Sequence, residues 1–562
     1  MCEMTVIDFF CGGGGFSEGF RQAGFKVIWA IDNWKPAVNT HKENHPDGET
    51  ICDDVIRLSL LPDEEFDLMI PDSAIIIGSP PCTSFSNSNK SGNGDKAKGL
   101  ELIHAYLRII ARKKNKPNSV LKYWILENVP KVKSHIKDLY TAKELGLPGK
   151  FVLNVKGTNS GEYNAKFFGV PSNRIRYFCG DFPAPEVTVQ TEKELIPLKS
   201  ILSALGSPKE KLHSEISDPL YGIMMKGEDV SDHHYIQELS EFEKTKATRL
   251  KQDRGFMGRM AVPENPEKPA RTIMATMSFT SRECFVLSNG VDRLRAPSIR
   301  EVATLMSFPI DYRFYGNSLG AKYRMVGNAV PPKLSFALAK AILKAENHAI
   351  DNFIYEPINH AHKIAFLNLN LDEIPVKEEK IKNIKAKFKY HIPYYKFDTY
   401  RVELTNNISD FDALEFKWVA EIHYNQGKDR AKIYTPIIKN IEFESYLIER
   451  ADNFFKSILN KIVTFNDFQN IHIQTISQIR DGDLIGPYEI LKLIKQFIDV
   501  EFEFTKDNKE KYNLSEAPFE LPKPIAIGYY ILNKFVTLMA SKNGQRPENK
   551  RIRKNKELAK AL

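Results

Sequence analysis

This chain of 562 residues has no long hydrophobic run. No stretch approaches the roughly 20 apolar residues of a membrane-spanning helix, so such a helix is not expected. Cysteine is scarce: six residues, at 2, 11, 52, 82, 179 and 284, with no CxxC pair and no zinc-ligand spacing. That pattern argues against a disulfide scaffold or a metal knuckle and fits a reducing compartment. A basic signal-peptide start is missing too, because Met1–Phe10 contains Glu3 and Asp8. We therefore expect a cytoplasmic protein. No internal repeat and no P-loop consensus occur. The net charge of +8 is mild for this length; it permits a polyanionic partner without demanding one.

What is present is the composition of a globular protein, 42% hydrophobic and 27% charged. The length calls for two or three domains. From Thr5 to about Phe182 short apolar strands alternate with helical stretches. Strands are expected at Thr5–Phe10, Lys26–Ile31, Ala74–Ile77, Tyr123–Leu126 and Arg176–Cys179, with helices starting near Ser17, Lys35, Lys98 and Lys131. This alternation predicts a parallel sheet with helices on both faces. Residues 183–292 are less regular. Pro297–Pro309 and Lys333–Ala345 read as helices. From about 350 Lys, Ile, Asn and Phe rise while Gly falls, which marks a separate domain. The last stretch, Lys542–Leu562, holds eight Lys/Arg against two Glu.

The most informative stretch is Gly78-Ser79-Pro80-Pro81-Cys82-Thr83-Ser84-Phe85-Ser86. It follows the apolar run Ala74–Ile77, so a buried strand ends in a stiff proline turn. The carboxyl end of a strand is where an open α/β sheet keeps its chemistry. Cys82 there is either a nucleophile or inert packing. Upstream, Phe10-Cys11-Gly12-Gly13-Gly14-Gly15 joins a strand to a helix and lets a ligand approach the backbone. Asp32 ends the second strand, where a carboxylate accepts ribose hydroxyls. Asp54 follows at a third turn and could receive an adenine amino group. Glu127 closes the apolar stretch Trp124-Ile125-Leu126 and suits a general acid. Arg174 and Arg176, two apart, would share one face of a strand and suit phosphate or carbonyl recognition.

DFFCGGGGFSEGF, AIDNW, CDDV, GSPPCTSFS, ENVP, GVPSNRIRYF, REVATLMSFP and GNAVPP occur in that order. As an ordered set they resemble the DNA (cytosine-5)-methyltransferase family, restriction–modification type, over about Thr5–Ala345. The resemblance implies an α/β, Rossmann-like S-adenosylmethionine-dependent catalytic domain, 1–182 completed by 293–345. A smaller target-recognition region would span 183–292; outside the resemblance, an additional C-terminal α+β domain is expected over 350–562. The resemblance further implies Cys82 as the nucleophile and Glu127 as the acid that engages cytosine N3. Arg174 and Arg176 would steady the cytosine and the loop over it. Phe10, Gly12, Gly14, Asp32, Asp54 and Asn328 match cofactor contacts. Pro80 matches the proline whose backbone lies against the cytosine, and we group it with the cofactor side.

Duplex DNA is the implied substrate, the protein a bacterial monomer, and a separately encoded restriction endonuclease its partner. Thr83–Gly99 reads as a polar lid, with Ser84, Lys90, Lys96 and Lys98 near phosphates. Arg271, Thr272 and Arg282 are expected to contact bases and backbone. Two positions depart from the family pattern: Ser172 stands where many members carry Gln, and Asp53 where Gly commonly precedes the cofactor aspartate.

Residues 350–562 lie outside the resemblance. Thr399–Thr405 and Ala413–Tyr424 alternate like paired strands. Asp398 with Glu415-Phe416-Lys417 loosely fits a D…ExK nuclease pattern, so a fused methyltransferase–nuclease is one alternative. A tRNA cytosine-5 methyltransferase and a catalytically silent DNA-binding regulator are others. No metal is expected in the methyl-transfer site.

Overall fold

The computed structural model describes residues 4–81, 96–208, 214–252, 259–276, 278–279, 281–348, 354–360, 379–424, 432–436, 445–458, 464–502, 511–513 and 520–542. Its contacts divide the chain into two units: 1–239 with 261–376, and 240–260 with 377–562.

In the first unit β1 (Thr5–Phe9), α1 (Gly15–Gln22), β2 (Lys26–Asp32), α2 (Lys35–Asn44), β3 (Glu49–Cys52), α3 (Val55–Ser59), α4 (Asp63–Met69), β4 (Ile75–Gly78), α5 (Lys96–Asn115) and β5 (Tyr123–Asn128) follow one another. A small ladder of β6 (Leu139–Thr141) and β7 (Val152–Asn154) precedes β8 (Gly161–Asn164), β9 (Ser172–Asn173) and β10 (Ile175–Asp181). The main sheet has the order β3-β2-β1-β4-β5-β10-β8. β1 to β5 pair in parallel, and β10 pairs antiparallel with both β5 and β8. The order reverses between β1 and β4, which is where open α/β sheets bind ligands.

The isoleucine run explains the layering. Successive strand residues point to opposite faces. Ile75 and Ile77 join a core with Phe16, Phe20, Leu334 and Leu338, whereas Ile76 joins Ile7, Phe9, Ile103 and Ile110 on the other side. A central parallel strand covered on both faces must be apolar at every position, and β4 is buried throughout.

The expected strands are all present. Sequence patterning missed β3 and β8, which carry too few apolar residues to stand out. The helix expected near Lys131 is only a 3-10 turn, Pro130–Ser134.

Beyond β10 come α6 (Leu198–Leu205), β11 (Glu215–Ser217), β12 (Met224–Lys226), α7 (Glu241–Gln252), β13 (Ala270–Arg271), β14 (Leu287–Ser288), β15 (Leu294–Arg295), α8 (Ile299–Leu305), α9 (Leu319–Asn328) and α10 (Pro332–Ala345). Leu198, Ile201, Leu205, Val302, Leu305 and Val326 share one core. Two boundaries differ from those read in the sequence. Residues 240–260, including α7, belong to the second unit, and the first unit extends to 376 rather than ending near 350. Asp311 holds that extension: its carboxylate accepts the Tyr355 hydroxyl at 2.9 Å and the Ile358 N–H at 2.8 Å.

The second unit is α+β. β16 (Lys389–Phe397), β17 (Tyr400–Thr405), β18 (Val419–Tyr424) and β19 (Lys432–Tyr434) form an antiparallel sheet in that order. α11 (Ser445–Ile458), α12 (Phe465–His472), α13 (Ile476–Asp481), α14 (Pro487–Glu501) and α15 (Lys523–Lys542) accompany it. Ile392, Val402, Leu404 and Ile422 pack with Phe455, Ile494, Ile531 and Phe535. α7 is fastened here by Arg249, whose guanidinium lies 4.9 Å from the Tyr390 ring and 4.2 Å from the Tyr488 ring.

The D…ExK grouping does not assemble. Asp398 sits in the turn before Tyr400, whereas Glu415 lies past the far end of the hairpin, bridged to Asp410. The length of β17 alone separates them by roughly 17 Å. Among the described residues no helix is long and apolar enough to cross a membrane.

Candidate active site

Phe9, Gly78 and Leu126 lie in one row across β1, β4 and β5. Phe10, Ser79 and Glu127 therefore open the next row, at the carboxyl ends of three neighbouring strands. Gly78 is required by its neighbour: a Cβ there would lie 2.4 Å from the Tyr106 ring on α5. Ser79 continues the ladder by donating its N–H to Phe9 O at 3.1 Å. Its hydroxyl donates to Glu127 Oε2 at 2.6 Å. One residue on, Asn128 Nδ2 donates to Pro80 O at 2.9 Å. Two side-chain bonds thus fix the segment leading to Cys82 against β5. Cys82, Ser84 and Lys90 themselves lie outside the described residues.

Glu127 is buried, 3% exposed. Arg176 on β10 brings Nε to 3.2 Å from Glu127 Oε1, an ion pair without the alignment of a hydrogen bond. The carboxylate is held between a hydroxyl and a guanidinium. Ser79 and Asn128 were not singled out in the sequence. Their signal was present, since both adjoin named residues in GSPP and ENVP.

The arginine pair does not share a face. Arg174 precedes β10, is fully buried, and donates to Ile273 O at 3.2 Å, Gly327 O at 3.0 Å and Ala329 O at 2.9 Å. It ties the GVPSNRIRYF segment to the GNAVPP turn, while Arg176 alone reaches Glu127. Ser172 supports this corner through the backbone: its carbonyl accepts the Arg174 N–H at 3.0 Å.

Toward β1 to β3 the glycine loop divides by role. Phe10 and Gly12 have positive φ, 58° and 53°. Among the described residues a Cβ at Gly12 would meet only Phe10 O, at 3.8 Å, so they leave this backbone uncovered. Gly14 also has positive φ, 78°, and a Cβ there would lie 2.2 Å from the Tyr312 hydroxyl. Gly15 and Gly19 would meet Val330 O and Phe336 N just as closely. Gly12 leaves room, and the others permit packing.

Asp32 ties the loop to β2. Its carboxylate accepts the Gly12 N–H at 3.0 Å and the Trp34 N–H at 2.8 Å. Burial raises its pKa, and these two N–H groups oppose the rise. Asp54, exposed after β3, caps α3 by accepting the Ile56 N–H at 2.7 Å. Asp53 pairs with Arg57 instead. Asn328 is exposed at the end of α9. Beneath the loop, Asp8 is fully buried and accepts the Ser17 hydroxyl at 2.7 Å. Burial pushes its pKa up to about 8. His41 Nε2 lies 3.0 Å from the same hydroxyl, and burial holds its pKa well below the usual value.

The residues expected to read DNA are partly engaged within the fold. Arg271 donates to Glu264 and to Cys284 O, and Thr272 donates to Asn173 O at 2.6 Å. Arg282 is half-buried.

Along the sheet, the strand ends present Asp54, Asp32, Gly12, Pro80 and Glu127 in spatial order. Acidic and glycine groups on one side of the switch point meet a buried acid on the other. Residues 4–344 match the model of the C-5 cytosine-specific DNA methylase family. The chain belongs to that family. It is a DNA cytosine-5 methyltransferase, and DNA is its substrate. This methylase is 28% identical over 359 residues to the type II methyltransferase M.MthTI of Methanothermobacter thermautotrophicus, a match covering 61% of this chain and 98% of that one. It is 29% identical over 353 residues to the type II methyltransferase M1.HphI of Haemophilus parahaemolyticus, covering 61% and 87%. Both matches leave most of the second unit of the methylase unaccounted for.

Proposed function

We propose that this methylase transfers a methyl group from S-adenosylmethionine to C5 of a cytosine in one short duplex sequence, and so protects host DNA from a separately encoded restriction endonuclease. It acts as a monomer in the bacterial cytoplasm. The type II methyltransferases among its relatives support the protective role. The observation that carries the chemistry is the buried Glu127, held by Ser79 and Arg176 beside the segment that leads to Cys82.

The residues fit the methyl donor. Gly12 offers uncovered backbone, and each Asp32 oxygen keeps a lone pair after accepting one N–H. Asp32 would take the ribose hydroxyls and Asp54 the adenine amino group, with Phe10, Gly14 and Asn328 completing the contacts. S-adenosylmethionine supplies the methyl group when bound.

Cytosine C5 is a weak nucleophile. The Cys82 thiolate adds at C6, and Glu127 offsets the charge that builds at N3. Addition makes the ring an enamine, nucleophilic at C5. After methylation a solvent base takes the C5 proton, and the sulfur leaves C6 with its electron pair. Arg176 steadies the cytosine and keeps Glu127 oriented. Pro80, its carbonyl held by Asn128, forms the wall beside the base. The target atom is inaccessible in a duplex, so the base must flip out at a cost of a few kcal/mol.

Bisulfite sequencing of DNA from a host expressing the chain tests this reading. Cytosines protected within one short context support it. Uniform conversion, with the protein present and folded, overturns it.

A further inference from the structure

Methyl transfer leaves a cluster in the second unit without a role. Glu403 on β17 and Glu421 on β18 are directly opposite across the ladder. His423, two residues beyond Glu421, shares their face of the sheet. His423 Nε2 lies 3.0 Å from Glu403 Oε2 and 2.8 Å from Glu421 Oε2. Glu403 and His423 are 4% and 1% exposed.

Three features point to a cation among these atoms. Like charges directly opposite in an antiparallel pair are destabilising unless something lies between them. Nε2 carries at most one hydrogen, which is directed to Glu421. Glu403 Oε2 is then enclosed beside it without a hydrogen bond. The spacing is also close to that of ligands: around an ion about 2.1 Å from each donor, adjacent ligands stand about 3.0 Å apart in an octahedron and about 3.4 Å apart in a tetrahedron. Arg401 donates to the other Glu403 oxygen, which turns Oε2 toward His423. Lys389 Nζ stands 3.6 Å from Oε2.

We propose that Glu403, Glu421 and His423 bind one divalent first-row cation, Mn2+ or Zn2+. Imidazole suits these ions, whereas Mg2+ prefers oxygen donors. Three protein ligands leave a position open for water or a phosphate oxygen, as in metal sites that react.

The test uses the full-length protein stripped by a chelator. It is titrated with MnCl2 while electron paramagnetic resonance reads free aqueous Mn2+, and with ZnCl2 by calorimetry. The wild type should take up one equivalent of at least one of the two ions. E421Q and H423Q should bind it at least tenfold more weakly, with circular dichroism confirming that both fold. Pulsed spectroscopy of the Mn2+-loaded wild type should show one imidazole nitrogen coupled to the ion, a readout independent of any variant. Uptake of neither ion would overturn the proposal and leave an ion-pair network closed by Lys389 and Arg401. Unchanged affinity in both folded variants would overturn it equally.

Discussion

The Ser79 hydroxyl donates to Glu127 at 2.6 Å, across the gap between the ends of β4 and β5. One short bond thus couples the turn leading to Cys82, the proposed nucleophile, to Glu127, the proposed acid. A hydrogen bond to a charged group contributes about 1.5–3 kcal/mol. Ser79→Ala should therefore lower the melting temperature by a few degrees, and should lower kcat at least tenfold because Glu127 loses the hydroxyl that orients it. Single-turnover methylation alongside a thermal melt measures both.

The two arginines should separate cleanly. Arg174→Ala leaves three buried carbonyls without their donor, and each costs about 1–3 kcal/mol. A drop in melting temperature of several degrees is expected. Arg176→Ala should lower the melt less, because Glu127 keeps the Ser79 hydroxyl, and should abolish most turnover, because its guanidinium serves Glu127. Equal loss of stability in both variants would refute this division.

The glycine loop gives a second contrast. Gly14→Ala meets both a left-handed backbone and the Tyr312 hydroxyl, so it should destabilise the fold by roughly 2 kcal/mol or more. Gly12→Ala shares the left-handed strain but meets no atom closer than 3.8 Å among the described residues, so it should destabilise less than Gly14→Ala and should also weaken S-adenosylmethionine binding. Calorimetric titration and denaturant melts of the two variants distinguish these outcomes.

Asp8 makes stability depend on pH. Its folded pKa, about 8, exceeds the ordinary carboxylate value of 3.8, so the folded state binds the extra proton. This contribution is full below about pH 4 and fades as pH rises to about 8, at about 1.4 kcal/mol per pH unit. Between pH 7 and 9 the wild type should lose stability that Asp8→Asn retains. His41 does not confound that window, since its lowered pKa keeps it neutral there. Urea melts at the two pH values check the sign.

The strand ends that frame the proposed site were legible in the sequence because their signals are local. An all-apolar strand, a proline turn and a terminal carboxylate announce the ends of β4 and β5. What escaped depends on tertiary partners. Arg174 and Arg176 look equivalent at a spacing of two, yet β10 begins only at Ile175 and the chain enters it differently. α7 buries Glu243, Ala247 and Lys251, so no apolar stripe marked it as part of the second unit. Glu403, Glu421 and His423 are separated by a loop and meet only through strand register, whereas the D…ExK spacing that caught attention spans opposite ends of the hairpin.

The central claim is that Cys82 attacks the base and Glu127 assists it. Tritium transfer from labelled S-adenosylmethionine to duplex DNA, compared among wild type, Cys82→Ala and Glu127→Gln, tests it most directly. Incorporation should vanish in Cys82→Ala and fall by about 2–4 orders of magnitude in Glu127→Gln, with both variants folded. Incorporation by Cys82→Ala at a rate near wild type would contradict the account.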